Sequence, residues 1–132
     1  MEPTVLVRLD SPRTTFQPGD TLSGEFRLEG TTRGQVRAVE LSILWYTDGK
    51  GDQDLHVRHF QRWAPETGDV IIPGRAFRFS TVLPKSPLSY DGLILRIRWC
   101  LRLRVFLKDG GEVHEEIPFR LGRTAPARVK LA

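Results

Sequence analysis

Residues 93–108 read LILRIRWCLRLRVFLK, and every odd position from Leu93 to Leu107 is apolar while Arg96, Arg98, Arg102, Arg104 and Lys108 stand at even ones. A repeat of two marks a strand with one buried face, because successive side chains of a pleated backbone point to opposite sides. A helix would spread these residues around its circumference. A strand gathers Leu95, Ile97, Trp99, Leu101, Leu103, Val105 and Leu107 against a core and leaves five cations in a row on the far side. The segment predicts an all-β fold with one sheet face packed, and a cationic row that is a candidate surface for anions. Sixteen residues exceed an ordinary strand, so the pattern also predicts a bend or bulge near Trp99 or Cys100 that lets the strand serve both layers of a sandwich.

The flanking sequence is built the same way, from extended stretches separated by turn chemistry. Thr4 to Leu9 alternates Val5, Val7 and Leu9 and stops at Asp10-Ser11-Pro12. Pro18-Gly19-Asp20 turns into a strand from Thr21 to Leu28, in which Phe26 and Leu28 share a face and Gly24 marks a bulge or a close backbone approach. Gln35 to Tyr46 places Val39, Leu41, Ile43 and Trp45 on one side, the pattern of a central strand. The polar TDGKGDQD of residues 47–54 reads as a hairpin tip before the strand LHVRHFQRW. Beyond a Pro/Gly-containing connection from Ala64 to Gly74, RAFRFSTVLP turns Phe77 and Phe79 inward, and Asp109-Gly110-Gly111 returns the chain into EVHEEIPFRLG. No stretch carries a helical period. The reading is a two-layer antiparallel β-sandwich of immunoglobulin-like type over residues 1–122, followed by a basic tail, 123–132.

Composition bounds the function. A chain of 132 residues that is 39% hydrophobic suits one core in one domain. Of its 20 Lys and Arg, nine fall in residues 93–132 against four acids, so the formal charge of +4 belongs to the C-terminal third. No run has the length of a membrane-spanning helix, and MEPTVLVRLD is unlike a secretory signal, which makes a cytoplasmic protein the expectation. The lone Cys100 excludes an intramolecular disulfide and a multi-cysteine metal site.

Three constellations are candidates for chemistry. The guanidinium groups of Arg96, Arg98, Arg102 and Arg104, joined by Lys108, suit planar two-pronged contacts with phosphates or carboxylates; equally, exposed strand positions of this kind pair with acids such as Glu112 and Glu115 or Glu116 on a neighbour. Nucleic acid is not expected, because the aromatic residues that would stack on bases alternate onto the core face. Asp48, Asp52 and Asp54 place three carboxylates within seven residues, a beginning for a calcium site, yet the spacing departs from the EF-hand loop and no bidentate Glu follows. No metal and no cofactor are expected. His56, His59 and His114 lack a nucleophile or acid motif around them, and the odd separation of His56 and His59 puts them on opposite strand faces. Arginines beside Cys100 would lower a thiol pKa, against the simpler reading of a small residue at a packing position. The expectation is a protein that is not an enzyme.

The ordered series PGDTLSGEFRLEG (18–30), VRAVELSILWYT (36–47), FRFSTVLP (77–84) and PLSYDGLILRIRWCLRLRVFL (87–107) resembles the arrestin N-domain. Pro18, Gly19 and Gly24, then Phe77, Phe79, Leu83 and Pro84, then Ser89, Tyr90 and Gly92 carry the likeness, which runs over residues 4–121. Arrestin-like folds, the retromer subunit and bacterial sporulation-control proteins among them, are adaptors or scaffolds. The resemblance therefore implies a non-catalytic interaction module whose protein partner docks on a sheet edge, on the basic row or through loops 47–54 and 84–92. The chain departs from arrestins in having room for one domain, and near its first strand it offers only Arg8 and Arg13, so the receptor-phosphate role does not carry over. An unpaired edge also allows a homodimer. The alternative is a peripheral binder of anionic lipid or a phosphorylated ligand through the same arginines, assisted by calcium at Asp48, Asp52 and Asp54.

Overall fold

The computed structural model describes residues 2–51 and 53–122. Among them run nine strands: β1 (Thr4–Leu9), β2 (Thr15–Phe16), β3 (Thr21–Glu29), β4 (Val36–Gly49), β5 (Leu55–Trp63), β6 (Phe77–Val82), β7 (Tyr90–Asp91), β8 (Leu95–Leu107) and β9 (Glu112–Leu121). The one helical piece described is a 3-10 turn at Pro65–Thr67. A three-stranded sheet in the order β1-β3-β6 faces a six-stranded sheet in the order β2-β9-β8-β4-β5, with β7 also pairing to β8. The all-β two-layer sandwich is as the alternation predicts. Every pairing is antiparallel except that of β2 with β9. The basic tail, residues 123–132, lies outside the described residues, as does Asp52.

The inner faces make one core. From the six-stranded sheet come Val39, Leu41 and Ile43 of β4 with Trp99, Leu101, Leu103, Val105 and Leu107 of β8; Leu22, Phe26 and Leu28 of β3 face them. Phe26 bridges the layers, edge-on to Trp63 at 5.0 Å and stacked on Phe77 at 5.2 Å. Each such side chain stabilises the fold by about 1.5–3 kcal/mol on burial, which is how a chain without a disulfide holds two sheets together. Gly24 sits directly between β1 and β6. A Cβ there would lie 2.4 Å from the Arg8 carbonyl oxygen and 3.0 Å from the Phe79 ring, while the register on both sides runs unbroken, so the glycine serves a close approach and not a bulge.

The structure departs from the alternation in two places. No bulge interrupts β8 at Trp99 or Cys100: its register with β4 is continuous from Gly49 opposite Leu95 to Ala38 opposite Phe106, and the shift falls between Val36 and Ala38. β4, at 14 residues, is as long as its partner, so the two pair along their whole length and β8 stays in one sheet. The same length carries β8 beyond the core at one end, where Leu95 is 39% exposed and Leu93, just ahead of the strand, 69%. The second departure is in β5, where Ile43 opposes His59 but Leu44 opposes Val57. Arg58 is thus an extra residue, a bulge. It brings His56 and His59 onto one face, opposite Trp45 and Ile43, contrary to the parity argument, and moves Phe60 onto the other face beside Val57 and Leu55.

Candidate partner-binding face

The six-stranded sheet turns its even-numbered β4 and β8 residues away from the core, and the register orders them in rows. Glu40, Arg104 and His114 form one row; Ser42, Arg102 and Glu116 the next; then Leu44, Cys100 and Pro118; then Tyr46 and Arg98; then Asp48, Arg96 and Asp91. β5 extends the first four rows with Arg62, Phe60, Val57 and Leu55. The four arginines therefore share a face, with a neutral, apolar row across its middle, whereas Lys108 lies beyond the end of β8, outside these rows.

Three of them hold carboxylates. Arg104 donates to both oxygens of Glu112, at 2.7 and 3.2 Å, and this two-pronged bond draws the Glu112 carboxyl below its usual range. Arg102 Nε donates to Glu116 at 2.9 Å, and Arg98 Nε to Asp48 at 3.2 Å. The Arg104 guanidinium also lies 5.0 Å over the Phe106 ring, which Arg37 approaches at 5.6 Å. Arg96 stands opposite Asp48 and Asp91 in register without an ion pair among the described residues, and Lys108, just past β8, donates its backbone N–H to the Gln35 carbonyl. Exposed pairs of this kind stabilise little, so a guest carboxylate or phosphate can take over a guanidinium at small cost. A depression of about 300 Å³ in the row is lined by Arg102, Arg104, Glu112, His114 and Glu116.

Cys100 interrupts the cations as a buried neutral group. Burial pushes its thiol up to about 11, the Glu116 charge acts in the same direction, and Arg102 opposes both without prevailing. This environment works against a reactive thiolate. In the 47–54 hairpin, Asp48 is committed to Arg98, and Asp54 donates its backbone N–H to Thr47 Oγ1 at 2.9 Å. Asp52 falls outside the described residues, among which no three metal-binding groups gather.

Sequence reasoning missed the apolar side of this face. Leu55, Val57 and Phe60 are 48%, 49% and 53% exposed, in line along the outer side of an edge strand. The signal was present as a parity slip: in LHVRHF the apolar positions change from odd to even across Arg58-His59.

Two packed sheets in this order, with long paired β4 and β8, define an arrestin-like β-sandwich. No family model matches the chain, and no curated protein matches it. Among solved structures it is similar to Spo0M, a sporulation control protein from Bacillus subtilis, with a TM-score of 0.66 at 15% identity over 92% of this chain and 50% of that one. The likeness is one of fold, and the chain spans about half the length of Spo0M. No helix among the described residues is long and apolar enough to cross a membrane.

Proposed function

We propose that the chain is a non-catalytic protein-interaction module, an adaptor or scaffold, whose partner docks on the outer face of the six-stranded sheet at its β5 side. The observation that carries this reading is the line of Leu55, Val57 and Phe60, half exposed on a strand with an open edge. Apolar lines of this sort on an open edge invite association and mark docking surfaces when polar residues border them. Arg62 ends the strip on β5, and the row of Arg98, Arg102 and Arg104 lies one strand further on, across β4; an apolar strip flanked by polar groups is the usual anatomy of a protein interface. The likeness to a protein named for sporulation control accords with a regulatory role. A cytoplasmic setting fits a fold whose single cysteine is a free thiol.

A photo-crosslinking amino acid at Val57 tests this, with one at Leu6, exposed on the other sheet, as the control. The Val57 probe is expected to capture a protein that then binds the purified chain, and Phe60→Lys is expected to abolish the capture in a protein that still melts normally. An Arg96/Arg98/Arg102/Arg104→Ser variant should weaken it in a salt-dependent way. Equal capture at Leu6 and Val57, or salt-sensitive binding to anionic vesicles with no protein captured, would overturn the adaptor reading.

A further inference from the structure

We infer that β5 accepts an added strand from the partner, and that this strand alternates apolar and acidic residues, one carboxylate entering the gap between β5 and β6 beside Arg58 and His59. The inference rests on the adaptor reading and names the partner's chemistry.

Charge selects the occupant. From Leu55 to Trp63 the edge strand carries His56, Arg58, His59 and Arg62 and no acid. Arg62 is already matched, by Glu66 at 2.7 Å and Glu40 at 3.5 Å, whereas Arg58 is exposed without an ion pair among the described residues. A second copy of this chain pairing through β5 would set the two basic strands side by side, an arrangement that like charges oppose. A strand bearing carboxylates meets the same edge with attraction.

Geometry supplies a place for one of them. The bulge lifts Arg58 out of the ladder and turns His59 toward the inner side, where a cavity of about 90 Å³ opens between the two sheets. Arg58 and His59 line it from β5; Thr81, Leu83 and Pro84 line it from β6 and the residues that follow. His59 Nε2 is buried there without a hydrogen-bond partner. An orphaned buried imidazole nitrogen is costly, and an N–H at that position next to a guanidinium is a ready donor pair for a carboxylate. The space suits a carboxylate and excludes a large group.

The alternation of the guest follows from the pleat. Residues of an added strand that point outward would lie beside Leu55, Val57 and Phe60, and the residues between them would point inward toward His59 and Arg58. Apolar outside and acidic inside is the pattern that satisfies both. The outward backbone of β5, which no strand covers among the described residues, provides the ladder.

A fluorescent peptide of alternating Val and Glu, nine residues long to match β5, is the probe. Controls are the Val/Lys peptide and a Val/Glu peptide with N-methyl groups on alternate amides. The Val/Glu peptide is expected to bind about tenfold or more tightly than either control, the loss expected for one charge-assisted contact or for the ladder. Its amide NMR shifts should fall on β5 and on Thr81 to Leu83. Arg58→Glu, an exposed change, should reverse the preference toward the Val/Lys peptide. Equal affinity for both peptides, no binding at millimolar peptide, or shifts confined to the Arg96–Lys108 row overturns the inference; so does a dimer in sedimentation that Val57→Lys dissolves, which assigns the edge to a second copy. If the partner crosslinked at Val57 survives Arg58→Glu and ignores the Val/Glu peptide, the adaptor reading stands and only the acidic strand fails.

Discussion

Asp10 closes the end of β1 against the rest of its sheet. Its carboxylate accepts a hydrogen bond from Ser23 Oγ at 2.7 Å and both terminal nitrogens of Arg78, one of them at 2.8 Å. The Arg78 bonds first, and Ser23 after them, hold the Asp10 carboxyl at about 2, below its ordinary 3.8, against the opposing effect of desolvation. Arg78 is 68 residues away, so the unfolded chain has no such pairing and the carboxyl there titrates normally. A carboxyl depressed only in the folded state stabilises it above the unfolded pKa, and that stabilisation is lost as pH falls from 3.8 toward about 2. Asp10→Asn should therefore lower Tm near neutral pH, and the gap from wild type should close as the buffer is taken down to about 2. Melting curves by circular dichroism across that range decide it. A gap of the same size at both ends means that the ion pair adds nothing, as many exposed pairs do.

β8 was legible because one of its faces is dry and the other wet over most of its length, and an alternation of Leu and Arg has no other comfortable arrangement. β5 was not legible in the same way. An edge strand is packed on one side at most, and a bulge changes which residues face the core without any change of composition, so parity counted from the sequence alone misplaces His59 and Phe60. Adjacent residues of β8 separate the two kinds of contribution cleanly. Leu103 is fully buried between the sheets, and Leu103→Ala should cost about 3 kcal/mol, as lost transfer energy plus a residual cavity. Arg104→Ala removes an exposed two-pronged pair with Glu112 and should cost a small fraction of that. Urea unfolding of both variants gives the comparison. Similar costs would mean that the arginine row is part of the fold's support and not a surface available to a partner.

At the scale of the molecule, the hairpin turn Asp109-Gly110-Gly111 fixes the β8–β9 register, which is why Glu112 and Glu116 could be named from the sequence as partners for the arginines. The Asp48–Arg98 pair and the parallel contact of β2 with β9 depend on strands brought together from distant parts of the chain, and no local pattern encodes them. The resulting sandwich is uneven. β4 lies between β8 and β5, and β8 between β4 and β9, so both are paired on two sides and bury Leu41, Ile43, Leu101 and Leu103 almost completely. β5, β1 and β6 each keep one open edge. Amide exchange follows local opening, and strands with two partners and a dry face open only with the whole protein. The amides of Leu41, Ile43, Leu101 and Leu103 should exchange slowest, at the rate of global unfolding, while those of β5 and β6 exchange earlier. Equal protection of β6 and β8 would contradict this order. Addition of the Val/Glu peptide should then slow the outward amides of β5 and leave β1 unchanged, since only the edge that gains a ladder gains protection; slowing at β1 instead would move the docking edge to the opposite sheet.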